Sequence, residues 1–406
     1  MRIISFGDCP KASTGYGSTW DNLLTRWCKL KPDWEFYHMG WQNHDRPHQT
    51  KEGYWMLPLN QKEYGFDTVV EYVMKYNPDF VITMADIGWQ AGYVDGIAEC
   101  KKRGWRGKWI AYNPYDSDVF ERLFWENILS FPDYNMAMAN NGVEIQKKNG
   151  VWNTELIPLG VDTKIFFPMS DKEELKKKWK LNNNFVVGFV GRNQTRKMID
   201  RLLKGFANFS KDKMDVKLLL HTDKIPPNNT MGWTLPGIIA KYQKEIDSTF
   251  SLKIVMSKDN LDIRARSRIQ PESMNELFNA MDIFGYMTGG EGFGVPGLEC
   301  QACGVPLLMT ACTTAFELTG NGEHGFLIPV LKDKYDREVT LVGTNGVENY
   351  IPDDIEFAKM LEMFYNDWKN GSKLIKEKGL KAREFSLKYD WDLIADKWLK
   401  FFEEHV

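Results

Sequence analysis

Two stretches of the chain carry residue types at spacings that suit chemistry. The first is Gly289 to Met309, GGEGFGVPGLECQACGVPLLM, directly after an apolar run, Ile283–Tyr286, that reads as a buried strand. Gly289, Gly290, Gly292 and Gly294 make a loop whose backbone can approach a ligand closely. Pro296 suits the first turn of a following helix, and the exposed amides of such a helix start favour an anion. Glu291 stands in the loop and Glu299 in the helix, with seven residues between them. One carboxylate at the loop and another about one turn into the helix can face the same ligand. Carboxylates accept hydrogen bonds from vicinal hydroxyls, so the spacing suits a sugar and a ribose. The competing explanation is two unrelated surface acids flanking a glycine turn; the glycines and the apolar helix weigh against it.

The second stretch is Val186 to Lys197, VVGFVGRNQTRK. A buried strand ends at Gly191, and Arg192, Arg196 and Lys197 precede a predicted helix, Met198–Phe209. Two or three cations at a strand-to-helix turn neutralise a diphosphate, and arginine can grip it bidentately. In a group transfer, negative charge accumulates on the departing diphosphate, and fixed cations there stabilise that charge as it grows. The plainer alternative is an exposed basic turn.

Both stretches need rigid elements to hold them. Strand-like apolar runs alternate with helix-period segments almost throughout. In the first half, strands are predicted at Ile3–Phe6, Trp34–His38, Phe80–Thr83, Trp109–Tyr112 and Met136–Ala139. Helices are predicted near Ser18–Leu30, Asp67–Tyr76, Gln90–Arg103 and Val119–Leu129. After turn signals at Leu156–Pro168 and a charged helical segment, Asp171–Lys180, the alternation resumes. Its strands are Phe185–Val190, Val216–His221, Lys253–Val255, Ile283–Tyr286 and Pro306–Met309. Its further helices are Leu235–Tyr242, Met274–Ala280, Pro296–Ala302, Asp354–Trp368, Lys373–Leu387 and Trp391–Glu404. This order implies two successive doubly wound α/β domains with parallel sheets covered on both faces, and a ligand cleft between them.

Bulk properties fit an ordinary globular chain. Its 406 residues allow two or three domains, with 43% hydrophobic and 26% charged residues. A formal net charge of -3 argues against a nucleic-acid surface as the main business of the protein, and makes a DNA acceptor a minority option. The lysine run Lys176–Lys180 reads as a solvated helix face. No stretch of eighteen apolar residues stands out, and the N-terminus reads directly as a strand. The six cysteines are too thinly spread for a disulfide framework, so a reducing compartment, the cytoplasm, is expected. Cys300 and Cys303 form a lone C-x-x-C inside an apolar helix pattern, which favours core packing over zinc.

Together the two stretches resemble retaining glycosyltransferases of family 4, within the group 1 glycosyltransferases of GT-B fold. Gly191, Arg192 and Lys197 match the G-R-x-x-x-x-K turn of that family, although Met198 stands where a glycine usually follows the lysine. Glu291 to Glu299 match its E-x7-E motif, and Ala302 to Pro306 its A-x-G-x-P. The segment Pro158-Leu-Gly-Val-Asp162 with Phe166, the loop Thr14-Gly-Tyr-Gly17, and the pairs Glu317-Leu318 and Gly325-Phe326 also look like family features. The resemblance covers nearly the whole chain and is strongest from Gly160 to Gly325.

The resemblance implies a GT-B architecture of two Rossmann-like domains facing across a cleft. Residues 1–165 would form the acceptor side, residues 166–385 the nucleotide-sugar donor side, and residues 386–406 a helix crossing back to the first domain. Arg192 and Lys197 would hold the donor diphosphate, Glu291 would face the sugar, and Glu299 would bind the ribose. Gly15 and Gly17 would lie over the phosphates or near the acceptor. Glu317, the Met287–Gly290 loop and Gly292, Phe293 and Gly294 after it would line the donor pocket. Many members carry a histidine after the fourth N-terminal strand; Asn113, Tyr115 and Asp116 are the candidates to serve there. His221 either touches the donor or is a capped, partly buried imidazole at a strand end.

The implied reaction moves a sugar from a UDP- or GDP-sugar, a substrate rather than a cofactor, to a hydroxyl acceptor on a glycan, a lipid-linked molecule or another carrier. Retention by a front-face path is expected, with Glu291 and Glu299 orienting rather than acting as a glycosidase pair. No D-x-D motif stands at a strand end, so nothing calls for a metal. The rivals are a sugar-nucleotide-binding protein or epimerase on the same fold, and an NAD-dependent oxidoreductase suggested by the first glycine loop. The latter fingerprint fails, because Trp20 stands where its third glycine belongs. Donor base, sugar, acceptor, oligomeric state and contact with a membrane surface stay open.

Overall fold

Continuous apolar runs become the central strands of two sheets in the computed structural model, which describes residues 1–12, 14–59, 63–117, 128–226, 231–257, 270–342 and 347–406. The chain divides into two units, Met1–Gly160 with Tyr389–Val406, and Val161–Lys388.

The first unit is built on eight strands: β1 (Arg2–Gly7), β2 (Glu35–Gly40), β3 (His48–Gln49), β4 (Trp55–Leu57), β5 (Phe80–Met84), β6 (Lys108–Asn113), β7 (Tyr134–Ala137) and β8 (Thr154–Leu156). Their order is β3-β4-β2-β1-β5-β6-β7-β8. All pairs are parallel except β3 with β4. Every residue of β5 is buried, as expected of a parallel strand covered on both faces. The last helix, Trp391–His405, belongs to this unit. Its apolar residues recur at helical spacing, and Trp398 and Phe402 pack with ring centroids 5.9 Å and 5.5 Å from Trp27. Most of the predicted helix Val119–Leu129, and Trp125 with it, lies outside the described residues.

The second unit holds β9 (Phe185–Val190), β10 (Val216–His221), β11 (Ile254–Met256), β12 (Ile283–Tyr286), β13 (Leu307–Thr310) and β14 (Phe326–Ile328), in the order β11-β10-β9-β12-β13-β14 and all parallel. A separate antiparallel hairpin joins β15 (Thr340–Val342) to β16 (Glu348–Tyr350). Neither β14 nor this hairpin shows in the sequence pattern, because strands of three residues carry too short a period to read.

Two expectations are corrected here. The helix expected from Met198 begins at Ile199, after a single 3-10 turn, Thr195–Lys197. Met198 has φ +44° and ψ +41°, the left-handed region in which a β-carbon is crowded, so it caps the helix rather than joining it. That conformation accounts for the glycine that similar sequences use at this point. The lysine run is also not wholly a solvated face. Lys176 on the helix Lys172–Lys178 is 1% exposed and pairs with Asp282 at 2.8 Å. It also donates to the Asn184 carbonyl at 2.8 Å, so its charge is balanced inside the unit.

Candidate functional site

β9 and β12 are neighbours in the second sheet, so the turn after one lies beside the loop after the other. The Gly289 amide donates to the Arg196 carbonyl at 2.6 Å and joins the two segments directly. On the far side, the Thr313 hydroxyl, just past β13, accepts the Glu291 amide at 3.0 Å. The Thr314 hydroxyl donates to the Phe293 carbonyl at 3.0 Å. Gly294 then turns the chain with φ +94° and caps the helix Val295–Ala302. A glycine is needed there because other residues resist that region. The first amides of such a helix have no partners within it.

This frame gathers four side chains around Glu291. One carboxylate oxygen lies 2.5 Å from the Lys197 ammonium and accepts the Thr288 hydroxyl at 2.8 Å. The other lies 3.1 Å from the Arg196 guanidinium, which also donates to the Gly290 carbonyl at 2.8 Å. Lys197 additionally donates to the Tyr286 hydroxyl at 2.8 Å and lies 5.0 Å from that ring centroid. Glu291 is 4% exposed and Lys197 is 6% exposed. Burial pushes the Glu291 carboxyl up, but the charges of Lys197 and then Arg196 more than reverse this and hold it at about 2. Burial, and next to it the Glu291 charge, raise the Tyr286 phenol well above its ordinary value, so it stays protonated. Two cations, Lys197 and Arg196, thus meet at the Glu291 carboxylate. A cation pair of this kind, Lys197 buried and Arg196 partly exposed, suits an anionic ligand group, and the fixed carboxylate suits a hydroxyl.

The other predicted residues of the second unit fall into distinct places. Arg192 is exposed on the turn after β9, whereas Arg196, three residues before the helix, is the arginine that reaches Glu291. Glu299 is half-buried one turn into the helix Val295–Ala302, and its charge acts on Tyr286. Gly290, Gly292 and Phe293 are buried in the loop. Glu317 is half-buried on the short helix Ala315–Thr319. His221 ends β10, and its Nδ1 lies 2.6 Å from the Ser257 hydroxyl, so the imidazole is capped. The thiols of Cys300 and Cys303 are buried, with the Gly297 carbonyl at 3.1 Å from one and the Asn275 side-chain oxygen at 3.0 Å from the other, which is core packing. Tyr286 and Thr313 are the contributors that the sequence did not single out; Thr288 lies in the loop expected to line the donor pocket, and Arg196 is one of the expected cations.

In the first unit, Thr14 caps the helix Gly15–Leu30 by accepting the Gly17 amide at 2.9 Å. The Thr14 hydroxyl donates to Asp8, which also accepts Gln42 at 2.7 Å, so the loop after β1 is tied down. Gly15 is exposed, with no atom near the place of a β-carbon. Gly17 is closed instead: a β-carbon would meet the Cys9 and Ala12 carbonyls at 2.7 Å. The loop's own packing explains that glycine. Of the candidates after β6, Asn113 is buried and accepts Gln90 at 2.7 Å, and Tyr115 is buried. Asp116 alone of the three is partly exposed.

Among the described residues no group of three or more His, Cys, Asp or Glu stands close enough to hold a metal ion. No described helix is long and apolar enough to cross a membrane.

Residues 184–336 match the family model described as "Glycosyl transferases group 1". The chain is 30% identical over 216 residues to the capsular polysaccharide biosynthesis glycosyltransferase CapM of Staphylococcus aureus, covering 48% of this chain and 50% of that protein. It is 25% identical over 172 residues to a D-inositol 3-phosphate glycosyltransferase of Stackebrandtia nassauensis, covering 42% of this chain and 36% of that protein. The chain thus spans about half or less of the length of the curated relatives it matches. Among solved structures, sucrose-phosphate synthase from Thermosynechococcus elongatus superposes with a TM-score of 0.74 at 16% identity, covering 100% of this chain and 99% of that one. HepE of Anabaena in complex with UDP-glucose superposes with a TM-score of 0.70 at 14% identity, covering 100% of both chains. The fold is that of the GT-B glycosyltransferases.

Proposed function

We propose, from the match of residues 184–336 to the group 1 glycosyltransferase model, that the chain moves a sugar from a nucleotide diphosphate sugar to a hydroxyl acceptor, with retention at the anomeric carbon. The observation that carries this reading is the cluster of buried Lys197 and Glu291 with the partly exposed Arg196 at the end of two adjacent parallel strands.

A donor diphosphate competes with Glu291 for the two cations. As it takes them, the Glu291 carboxylate is released to accept hydrogen bonds from the sugar. Arg192, exposed on the same turn, adds a third cation from the solvent side. Glu299 takes the ribose hydroxyls, and Glu317, Gly292, Phe293 and Gly294 complete the donor pocket with His221 nearby on β10. In the transfer, the bond from the anomeric carbon to the phosphate oxygen breaks while the bond to the acceptor oxygen forms on the same face. The departing phosphate takes the acceptor proton. Lys197 and Arg196 stabilise the charge that gathers on it, which a metal would otherwise do, so turnover is expected to survive a chelator. In the first unit, Gly15, Gly17 and Asp116 are the residues proposed to serve the acceptor. HepE, of the same fold, is seen with UDP-glucose, which supports a UDP-sugar as the first donor to test. Six free cysteines fit a reducing compartment, so the cytoplasm is the proposed place of action.

Thermal unfolding with UDP, GDP and their sugars tests the donor site. A ligand at 100 times its Kd adds about 2.7 kcal/mol to stability and raises Tm. One nucleotide is expected to stabilise the wild type, and Lys197→Ala to remove the shift. Folded wild-type protein indifferent to every nucleotide would overturn the reading.

A further inference from the structure

The hairpin of β15 and β16 lies beyond residues 184–336, so the family match assigns it nothing. It belongs to neither sheet, and Leu341 and Val342 on β15 are exposed, so core burial does not explain it. A two-stranded hairpin is marginal alone. This one is fixed at its base, where Ile351 donates to the Val339 carbonyl at 3.0 Å and Leu331 to the Ile351 carbonyl at 2.7 Å. It is also attached to the glycine loop. The Tyr350 amide donates to the Gly289 carbonyl at 2.9 Å, while the Gly289 amide donates to the Arg196 carbonyl at 2.6 Å. One glycine residue thus links the hairpin, the loop of Glu291 and the turn of Arg196 and Lys197. The fit is flush: a β-carbon on Gly289 would lie 2.8 Å from the Tyr350 carbonyl oxygen, 3.0 Å from the Asn349 β-carbon and 3.0 Å from the Met198 methyl.

We propose that the hairpin is a clamp, in which Tyr350 acts as a positioning residue that holds Gly289, and through it Glu291, in register with Lys197 and Arg196. The inference rests on the transferase reading for its effect on turnover, and on the geometry alone for its effect on the loop. A displacement of about 1 Å at a reacting group costs on the order of 100-fold in rate, so a clamp two residues from Glu291 governs turnover without touching substrate.

Tyr350→Pro is the test. The Tyr350 amide and carbonyl both face Gly289, so the substitution deletes the clamping donor and leaves the ladder to β15 intact. Gly289→Ala, which wedges the hairpin off the loop, is the second variant. Hydrogen exchange of the peptide spanning Thr288–Glu291 is expected to quicken about 10-fold or more in both. In Tyr350→Pro, turnover is expected to fall about 10- to 100-fold, with UDP or GDP affinity within about 2-fold and Tm within a few degrees. Unchanged exchange in both folded variants overturns the clamp. So does a fall in turnover, nucleotide affinity and Tm together, which marks a merely structural role. If the wild type turns over no sugar nucleotide, the transferase reading fails, and the exchange measurement still decides the clamp.

Discussion

The Lys197 ammonium lies 2.5 Å from the Glu291 carboxylate, and both side chains are buried. Ninety-four positions of sequence separate them, and two adjacent parallel strands close that distance. An ion pair so placed is sensitive to loss of either member, because the survivor keeps its charge in a site with little water.

Lys197→Ala is therefore expected to cost both function and stability. Arg196 remains to share the Glu291 charge, so the loss should be about 2–4 kcal/mol rather than the full cost of a bare buried charge. Urea unfolding measures it. Arg192→Ala provides the contrast: the side chain is exposed, so Tm should hold while affinity for a nucleoside diphosphate drops about 10-fold.

Acid should weaken the protein through Glu291. Its folded pKa of about 2 is below the ordinary 4.5, so its contribution to stability is complete above the unfolded value. That contribution disappears as pH falls from about 5 toward 2, and it is on the order of 3 kcal/mol. Other carboxyls held low, including Asp282 and Asp247, act in the same window. Comparing wild type with Glu291→Gln at pH 7 and pH 4 isolates this one. The wild type should lose more stability between the two pH values than the variant, and equal losses would refute the assignment.

Met198 offers a test of strain against packing. Replacing it with glycine relieves a left-handed conformation that costs about 1–2 kcal/mol. The same change empties a side chain that is 2% exposed and whose methyl lies by Gly289, a loss of about 2–3 kcal/mol. Burial wins, so Met198→Gly should be less stable by about 1 kcal/mol in urea unfolding. A more stable variant would show that the strain dominates.

Lys176→Met separates fold from site. The lysine is buried against Asp282, far in sequence from the donor loop. Its loss should lower Tm by leaving Asp282 with Lys172 alone, at 3.0 Å, while nucleotide affinity stays within about 2-fold.

Much of this was legible in the sequence. The apolar runs at Phe185–Val190 and Phe80–Met84 are buried end to end, and their pattern declared strands because both faces are covered. Glu291 and Lys197 were legible from the glycines and cations around them. What could not be read depends on partners distant in the chain. Arg196 rather than Arg192 reaches Glu291, a choice made by the 3-10 turn at Thr195–Lys197. Lys176 is buried against Asp282, which stands just before β12, the neighbour of β9, and no local period encodes that. Likewise the need for glycine at position 17 comes from carbonyls of its own loop, which no local spacing encodes.

The most direct test of the central claim follows release of nucleoside diphosphate from UDP- and GDP-sugars by phosphorus NMR, with a panel of hydroxyl acceptors. Wild-type protein should release it from one donor, and the new glycosidic bond should keep the donor's anomeric configuration. Glu291→Gln should bind the same nucleoside diphosphate yet turn over about 100- to 1,000-fold more slowly. Turnover of Glu291→Gln equal to that of the wild type would contradict the account.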